Sequence, residues 1–305
     1  MAVLRLIRFP NLLIVAVTQA LLYFHLLLPR FREFDIRPSL SPDLMVIFIL
    51  VTVLLTAGGY VINDLMDMNA DLINKPEKVV VNKTISRQSA VWLYFCSNLI
   101  GFFLALYLAF RVQPVALVNL FPLAGAGLFL YSYQFKRRPL IGNILIGLYC
   151  AGVAGIIWFA EREAIAELFR LHPESGERLQ LIFTIYLFFA FLSTLFRELA
   201  KDMEDIEGDR AMGYQTAPIA WGLEITRKLA LSSALSLFFF LLFFAYLFYQ
   251  QLTQVWSVVI LLLVLLPLTF AMYQLYRAQN KTAYHQVSQL IKWIMLSGLL
   301  LLLFL

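Results

Sequence analysis

The sequence predicts an all-α polytopic membrane protein, with about nine transmembrane helices surrounding a central intramembrane cavity. The chain is 61% hydrophobic over 305 residues, and its mean hydropathy is +0.80. Apolar stretches of roughly 20 residues, the length that crosses a bilayer, recur along it. Many of its acidic residues are concentrated in two short segments at the ends of predicted spans. A soluble domain would not show this combination.

Nine stretches are long and apolar enough to be predicted as spans. In chain order they cover residues 10–29, 44–63, 89–110, 114–132, 140–160, 178–197, 227–249, 255–276 and 286–305. Because little chain remains between them, residues 1–305 are interpreted as one integral-membrane domain. The N-terminus lacks a small-residue cleavage site and is interpreted as an amphipathic lead-in, not a signal peptide.

Between the fifth and sixth spans, the loop from Glu161 to Arg178 has its own helical pattern. Ile165, Leu168, Phe169 and Leu171 recur at helical spacing, which predicts a short helix at the membrane interface. The run from His172 to Gly176, His172-Pro173-Glu174-Ser175-Gly176, is interpreted as its end. We expect this helix to be a surface cap without chemistry.

Basic residues are distributed unevenly between the two sides of the predicted membrane. Of the 24 Lys and Arg residues, 17 fall on the side of the N-terminus and seven on the other. The positive-inside rule therefore places the N-terminus and both acidic segments in the cytoplasm. No basic face lies outside the membrane-flanking loops, so nucleic acid is not an expected partner.

The first acidic segment ends the second span and reads NDLMDMNAD from Asn63 to Asp71. Asn63, Asp67 and Asp71 are spaced i, i+4, i+8, which places them on one face of a helix. Charged residues near hydrocarbon are costly and mark functional sites by default.

The second acidic segment ends the sixth span and runs from Arg197 to Arg210. Glu198, Asp202, Asp205 and Asp209 are spaced i, i+4, i+7, i+11, which again predicts one face of a helix. Like charges this close repel, so a cation is expected. Magnesium prefers one or two carboxylates plus substrate phosphates. Two such segments would suit a magnesium-bound diphosphate, and the alternative is two solvated helix ends.

The two segments together resemble the signatures of the UbiA superfamily of intramembrane prenyltransferases. The N-D-x-x-D-x-x-x-D pattern, followed by Asn74-Lys75-Pro76 and Ile85-Ser86, is similar to the first signature. The K-D-x-x-D-x-x-G-D pattern from Lys201 to Asp209, followed by Gly213, Thr216 and Pro218, is similar to the second. The stretch from Lys78 to Lys83 departs from the family pattern, because it lacks the usual second proline and glycine.

The resemblance implies roles for the residues of both segments and for several basic residues near them. It implies catalytic roles for Asn63, Asp67, Asp71, Asp205 and Asp209, and it implies Mg²⁺ ligands at Asn63, Asp64, Asp67, Asp71, Asp202, Asp205 and Asp209. Substrate contacts are expected at Arg8, Asn11, Lys75, Lys78, Tyr131, Lys136, Arg197 and Lys201. For Arg8 and Lys136 the alternative is a topology determinant, and for Asn11 it is a helix cap.

The function that the resemblance implies is Mg²⁺-dependent transfer of a polyprenyl group from its diphosphate to a lipid-soluble acceptor. The form of the second segment is most similar to the ether-lipid branch, whose acceptor is the hydroxyl of geranylgeranylglyceryl phosphate and whose donor is geranylgeranyl diphosphate. Alternatives are an aromatic acceptor such as a hydroxybenzoate or dihydroxynaphthoate, and a cation-coupled transporter. The expected location is the cytoplasmic membrane of a prokaryote, with the active site facing the cytoplasm.

Overall fold

A computed structural model describes residues 1–112, 116–248 and 259–304. The predicted span residues 114, 115, 249, 255–258 and 305 lie outside this part. Of the described residues, 87% are helical, and they form no strand beyond one isolated bridge between Val81 and Ile85. The predicted all-α class is confirmed.

The helices are labelled α1 to α14 in chain order through the described residues. Their bounds are Ala2–Leu6, Phe9–Ala20, Leu28–Glu33, Pro42–Asn74, Arg87–Arg111, Ala116–Tyr133, Ile141–Ala160, Arg162–Leu171, Pro173–Glu204, Ile206–Ala211, Ala217–Ala220, Leu223–Phe248, Leu266–Arg277 and Lys281–Leu300. A π-helical segment, Leu21–Leu27, joins α2 to α3, and another, Leu261–Leu265, leads into α13.

Seven helical stretches among the described residues are long and apolar enough to cross a membrane. They are Phe9–Glu33, Pro42–Asn74, Arg87–Arg111, Ile141–Ala160, Pro173–Glu204, Leu223–Tyr246 and Lys281–Leu303. The other two predicted spans correspond to α6 and to a shorter apolar helix, Leu262–Arg277. The chain is therefore an integral membrane protein, and nine is an approximate count of its spans.

Two helices extend well beyond the predicted ends of their spans. Helix α4 continues through the first acidic segment to Asn74, and α9 begins at Pro173 and continues to Glu204. Hydropathy detects only the part of a helix that lies in hydrocarbon, so it cannot detect a polar extension. Both extensions contain residues of an acidic segment.

The chain divides into two compact units, of which the first comprises Met1–Phe135 and Val153–Gln180. One of its apolar clusters brings α1, α4 and the loop before α5 together and contains Leu6, Val61, Val80, Val81 and Ala90. Helices α4 and α5 approach so closely at Gly58 that a Cβ there would overlap the side-chain amide of Asn98. This packing holds the acidic end of α4 against the N-terminal residues.

The predicted interfacial helix is present in the first unit as α8. It buries Ile165 and Leu168, and His172 follows its last residue. The imidazole of His172 stacks on the ring of Phe34, with centroids 4.0 Å apart. The expected helix is confirmed, but its predicted end is too long, because the next helix begins at Pro173 and only His172 separates the two. Its place at a membrane interface stays a prediction.

Glu161, just before α8, is a fully buried carboxylate in the first unit. Its two oxygens accept hydrogen bonds of 2.8 Å from the backbone N–H groups of Ser39 and Leu40. The Leu40 carbonyl in turn accepts a hydrogen bond from the hydroxyl of Tyr23. Burial raises the pKa of Glu161 above its ordinary value, although the backbone donors oppose this shift.

The second unit comprises Lys136–Gly152 and Leu181–Leu305. Its core is formed by buried apolar residues of α9, α12, α13 and α14, among them Phe196, Leu237, Leu268 and Ile291. The ring of Phe189 occupies the space beside Gly298, where a Cβ would overlap it. Leu199, Ala200 and Met203 belong to this core, so the second acidic segment packs directly against it.

Candidate active site

The first acidic segment lies on the unbroken helix α4, so its predicted spacing is confirmed. Asn63, Asp67 and Asp71 follow one another by single turns along one face. Asp67 is only 3% exposed, whereas Asn63, Asp64 and Asp71 are half-buried. A buried carboxylate between two half-buried side chains with oxygen donors is a donor set that can bind a cation.

Arg8 supplies positive charge to this segment from the N-terminal residues. Its Nη2 donates to Asp64 Oδ1 at 2.7 Å, and its guanidinium lies 4.9 Å from the ring centroid of Tyr60. Burial works against the charged guanidinium, but the attraction of Asp64 outweighs it and raises the pKa of Arg8 above its ordinary value. The structure therefore brings two predicted site residues, Arg8 and Asp64, together as an ion pair.

The junction between α1 and α2 explains how Arg8 reaches Asp64. Arg8 has a left-handed backbone conformation, with φ 51°, and immediately precedes α2. Asn11 is the third residue of that helix, and no side chain caps its start. The helix-cap alternative for Asn11 is therefore wrong.

The loop after α4 is held by its own backbone and by one lysine. Lys83 Nζ donates to the carbonyl of Pro76 at 2.6 Å, and the chain turns through Asn82 at φ 61°. Asparagine tolerates this conformation better than most residues. Ser86 then caps α5, and its hydroxyl accepts from the backbone N–H of Ser89 at 3.1 Å. Lys78 is exposed on this loop.

The second acidic segment is not one continuous helix, which corrects the single-face prediction. Helix α9 ends at Glu204, Asp205 has φ −99° and ψ 9°, and α10 begins at Ile206. The backbone bonds from Asp205 N to Lys201 O and from Asp209 N to Asp205 O keep the turn closed around this bend. The four acids therefore do not form the straight row that their spacing predicts.

Within the second segment, Glu198 is surrounded by basic partners. Arg197 Nη1 lies 3.0 Å from Glu198 Oε1, and Lys201 Nζ lies 2.8 Å from Oε2. These two predicted substrate-contacting residues are thus held against one carboxylate. The arrangement leaves a compact, partly buried group of alternating charges on α9.

Polar residues from other helices of the second unit contact two acids of α9 just before the bend. Asn143 Nδ2, on α7, donates to Asp202 Oδ2 at 2.8 Å. On α14, His285 Nδ1 lies 2.9 Å from Glu204 Oε1. Each contact is made by a side chain on a distant part of the sequence, so the segment's shape depends on tertiary packing.

The residues after α10 have backbone roles that fit their place in the second signature. Gly213 takes φ +72°, a conformation that favours glycine. Thr216 precedes α11, and Pro218 lies in the first turn of that helix. Arg137 lies over the ring of Tyr214 at 4.7 Å, and its carbonyl accepts from the N–H of Gln215.

The remaining predicted contacts lie near the end of α6. Tyr131 is buried, with 8% exposure, and belongs to the first unit. Lys136 is half-buried in the short 3₁₀ turn Phe135–Arg137, at the start of the second unit. Lys75, which follows α4 directly, is also half-buried.

The oxygen donors of each segment are of the kind that suits a magnesium ion that also binds phosphate. Among the described residues, no group of three or more His, Cys, Asp or Glu side chains lies close enough to hold a metal alone. Magnesium does not require such a group, because it commonly takes one or two carboxylates and leaves its other positions to water and substrate phosphate. Asp67, between Asn63 and Asp71 on α4, offers that kind of donor set.

Sequence reasoning missed Tyr60, Asn143 and the Glu204–His285 pair. Asn143 carries a usable signal, because it is a polar residue one turn into an otherwise apolar span. His285 carries no local signal of its role, because its partner Glu204 lies 81 positions away. Tyr60 looks like an ordinary aromatic residue of a span.

Family comparison explains why these two segments occur in one chain. A sequence model described as the UbiA prenyltransferase family matches residues 35–296, which is most of the chain and includes both segments. The chain therefore belongs to the UbiA prenyltransferase family.

Individual relatives show which members of the family this chain is similar to. The chain is 34% identical over 185 residues to a digeranylgeranylglyceryl phosphate synthase of Methanothermobacter thermautotrophicus, a match covering 58% of this chain and 56% of the relative. It is 30% identical over 187 residues to a protein of the same name from Methanopyrus kandleri, with 61% of each chain covered. The match thus spans a little over half the length of these curated relatives.

Solved structures share the fold. One has a TM-score of 0.64 and 22% identity over 100% of this chain and 98% of its own. Its description reads "Structural and mechanistic insights into the biosynthesis of Digeranylgeranylglyceryl phosphate synthase in membranes". A UbiA homologue of Archaeoglobus fulgidus bound to DMAPP and Mg²⁺ has a TM-score of 0.56 and 15% identity, with 97% and 99% covered. These likenesses establish the fold alone.

Proposed function

We propose that this protein transfers a polyprenyl group from its diphosphate to a lipid-soluble acceptor, in a Mg²⁺-dependent reaction. The observation that carries the proposal is the oxygen-donor face of α4, where buried Asp67 lies one turn from Asn63 and one turn from Asp71. Membership of the UbiA prenyltransferase family supports it. So does a fold neighbour that is itself bound to a prenyl diphosphate and Mg²⁺.

The residues that would hold Mg²⁺ are the oxygen donors of both segments. They are Asn63, Asp64, Asp67 and Asp71 in the first segment and Asp202, Asp205 and Asp209 in the second. When bound, the ion neutralises charge that develops on the leaving pyrophosphate. Asn63, Asp67, Asp71, Asp205 and Asp209 are the proposed catalytic group.

Basic and polar side chains near the segments would bind the diphosphate and orient the donor. The proposed contacts are Arg8, Asn11, Lys75, Lys78, Tyr131, Lys136, Arg197 and Lys201. Charge-assisted hydrogen bonds to phosphate oxygens are stronger than neutral ones. Arg8 and Lys201 would bind phosphate oxygens while they keep their contacts with the carboxylates of Asp64 and Glu198.

In the proposed reaction the bond between C1 of the prenyl chain and the diphosphate oxygen breaks, and pyrophosphate leaves with the electron pair. The acceptor oxygen then bonds to C1 and loses its proton. The 46 aromatic residues of the chain offer electron-rich walls for the intervening allylic cation. A membrane-embedded enzyme suits this chemistry, because the prenyl tail stays in lipid.

The proposed donor is geranylgeranyl diphosphate and the proposed acceptor is the hydroxyl of geranylgeranylglyceryl phosphate, which gives an ether lipid. The names of the relatives from Methanothermobacter thermautotrophicus and Methanopyrus kandleri support this choice. The proposed location is the cytoplasmic membrane of a prokaryote with the site facing the cytoplasm, as the bias of basic residues favours.

The test is a transfer assay on the whole protein in nanodiscs, with geranylgeranyl diphosphate, Mg²⁺ and a panel of acceptors. The panel contains geranylgeranylglyceryl phosphate, a hydroxybenzoate and a dihydroxynaphthoate. We expect product with the glycerol phosphate alone, and we expect EDTA to abolish it until Mg²⁺ is restored.

Matched variants separate the site from the helix that carries it. Asp67→Asn should be inactive, whereas Asp43→Asn, an exposed acid at the other end of α4, should be fully active. Product only with an aromatic acid would keep prenyl transfer and overturn the acceptor. Full activity in Asp67→Asn would overturn the site, and absence of any diphosphate consumption would favour the transporter alternative.

A further inference from the structure

A basic pocket lies in the second unit, beside the end of α13 and the start of α12. Its volume is about 550 Å³, and it is lined by Arg227, Tyr276, Arg277 and Gln279. None of these residues belongs to the acidic segments or to the predicted substrate contacts. The pocket therefore needs an explanation separate from prenyl transfer.

Arg227 is held firmly at this pocket. Its Nη2 donates to the carbonyl of Ala278 at 2.6 Å and to the hydroxyl of Tyr284 at 3.0 Å. Its Nε is buried and has no hydrogen-bond acceptor within the described residues. A buried charged donor without an acceptor is costly, and an anion bound at this guanidinium would offset part of that cost electrostatically.

The pocket's arginines have acidic charge near them only without direct contact among the described residues, since Glu224 attracts Arg227 electrostatically. No ion pair among the described residues includes Arg227 or Arg277, and the nearby Glu224 is 2.7 Å from Lys228. Arg277 is exposed. Two guanidinium groups, a tyrosine hydroxyl and the amide of Gln279 are a donor set that matches phosphate oxygens.

The surroundings of the pocket favour a phosphate that carries an apolar tail. Phe270, Tyr273 and Tyr276 recur every three residues along α13, and all three are exposed. This aromatic row leads from Arg277 along a helix that is apolar enough to lie in the bilayer. Tyrosine is enriched at membrane interfaces, and basic pockets between transmembrane helices bind anionic headgroups.

We propose that the pocket lined by Arg227, Tyr276, Arg277 and Gln279 binds the phosphate headgroup of an anionic phospholipid of the surrounding bilayer. The acyl chains lie along the aromatic row of α13. The site recognises a phosphodiester through the two guanidinium groups, and it does not take part in the transfer reaction.

The test is native mass spectrometry of the whole detergent-solubilised protein, titrated with phosphatidylglycerol or with phosphatidylcholine of the same acyl chains. We expect the first phosphatidylglycerol to bind at least about fivefold more tightly than phosphatidylcholine. Arg277→Gln should lose about fivefold in affinity for phosphatidylglycerol alone, the effect of one basic residue near an anionic lipid.

Arg138→Gln is the matched control, because Arg138 is also exposed and lies outside the pocket. It should bind both lipids as the unmodified protein does. Tyr276→Phe, which removes one donor and keeps the aromatic surface, should give a smaller selective loss and is the second variant if Arg277→Gln does not fold.

Three results would overturn the proposal. One is equal affinity for the two lipids in the unmodified protein. Another is an equal loss in Arg277→Gln and Arg138→Gln, which would indicate a general charge effect. The third is displacement of phosphatidylglycerol by an equal concentration of inorganic phosphate, which would indicate a site for free phosphate.

Discussion

The two acidic segments hold their like charges in different ways. On α4 the acids lie on one straight helix, and their counter-charge comes from outside it, through the 2.7 Å contact of Arg8 with Asp64. At the end of α9 the helix bends at Asp205, and Glu198 is neutralised within its own segment by Arg197 and Lys201. The same kind of sequence signature is thus supported by two unlike local structures.

This difference shows where each segment is vulnerable. The contacts described above give the first segment a cation from outside its helix, Arg8, and they distribute the support of the second segment over Arg197, Lys201, Asn143 and His285. A substitution of the outside partner should therefore affect the first segment more than the second. The proposed function adds that both segments serve the same diphosphate, which gives the comparison a direct test.

The largest expected effect is the loss of one acid from each segment. Asp67→Asn and Asp205→Asn should each lower kcat at least about 100-fold, because each removes charge that stabilises the bound leaving group. The double variant should be no worse than the poorer single variant, since residues that act as a unit are not additive. Steady-state transfer assays on all three would measure this, with Glu207→Gln on α10 as an exposed control. Multiplicative losses would indicate that the segments act independently.

The next effect is the loss of the remote cation of the first segment. Arg8→Gln should lower kcat/KM by about 10- to 100-fold, the range seen when residues that orient metal ligands are removed. Arg5→Gln, an exposed arginine of α1, should change it little. The transfer assay at several Mg²⁺ concentrations checks this, and we expect Arg8→Gln to alter the Mg²⁺ dependence. Equal activity of the two variants would show that the ion pair is not needed.

A smaller effect is expected for one partner of the second segment. Asn143→Leu leaves Asp202 Oδ2 without the donor that it has at 2.8 Å, and the other contacts of the segment persist. We expect about a tenfold loss of kcat/KM. Ser233→Ala is a suitable control, because that buried hydroxyl bonds only its own helix, at the carbonyl of Ala230. A loss as large as that of Arg8→Gln would contradict the idea that the second segment shares its support among several contacts.

The smallest effect on turnover is expected at Glu161, a carboxylate held by backbone N–H groups and no cation. Glu161→Gln replaces one acceptor oxygen by an amide donor facing Ser39 or Leu40. The free energy of unfolding should fall by about 1–3 kcal/mol, with kcat unchanged. Thermal unfolding in detergent and the transfer assay would show both, and a lost kcat with unchanged unfolding would assign Glu161 to the reaction instead.

The pH dependence of the same variant has a definite sign. The pKa of Glu161 is raised in the folded protein, so its protonation favours folding. This contribution is present below the ordinary pKa of a glutamate and is lost as pH rises through the raised folded value. The deficit of Glu161→Gln should therefore be largest at low pH and shrink as pH rises. A deficit that grows with pH would contradict the raised pKa.

Much of the fold follows from local sequence. A span needs only a sufficient length of apolar residues, so hydropathy located the helices between their polar ends. The spacing of Asn63, Asp67 and Asp71 likewise needs only an unbroken helix, and α4 provides it. The motif order alone indicated the UbiA prenyltransferase family, which the match over residues 35–296 confirms.

Only the tertiary structure decided how the charges of the two segments are matched. The bend at Asp205 has no glycine or proline to mark it in the sequence, and the pairs Arg8–Asp64, Asn143–Asp202 and His285–Glu204 join residues 56 to 81 positions apart. Local periodicity sees only the next turns of one helix, whereas these contacts arise when separate helices pack. The sequence by itself thus determined which residues are available for the chemistry. Helix packing decided which of them have charged or polar partners and where the second segment bends.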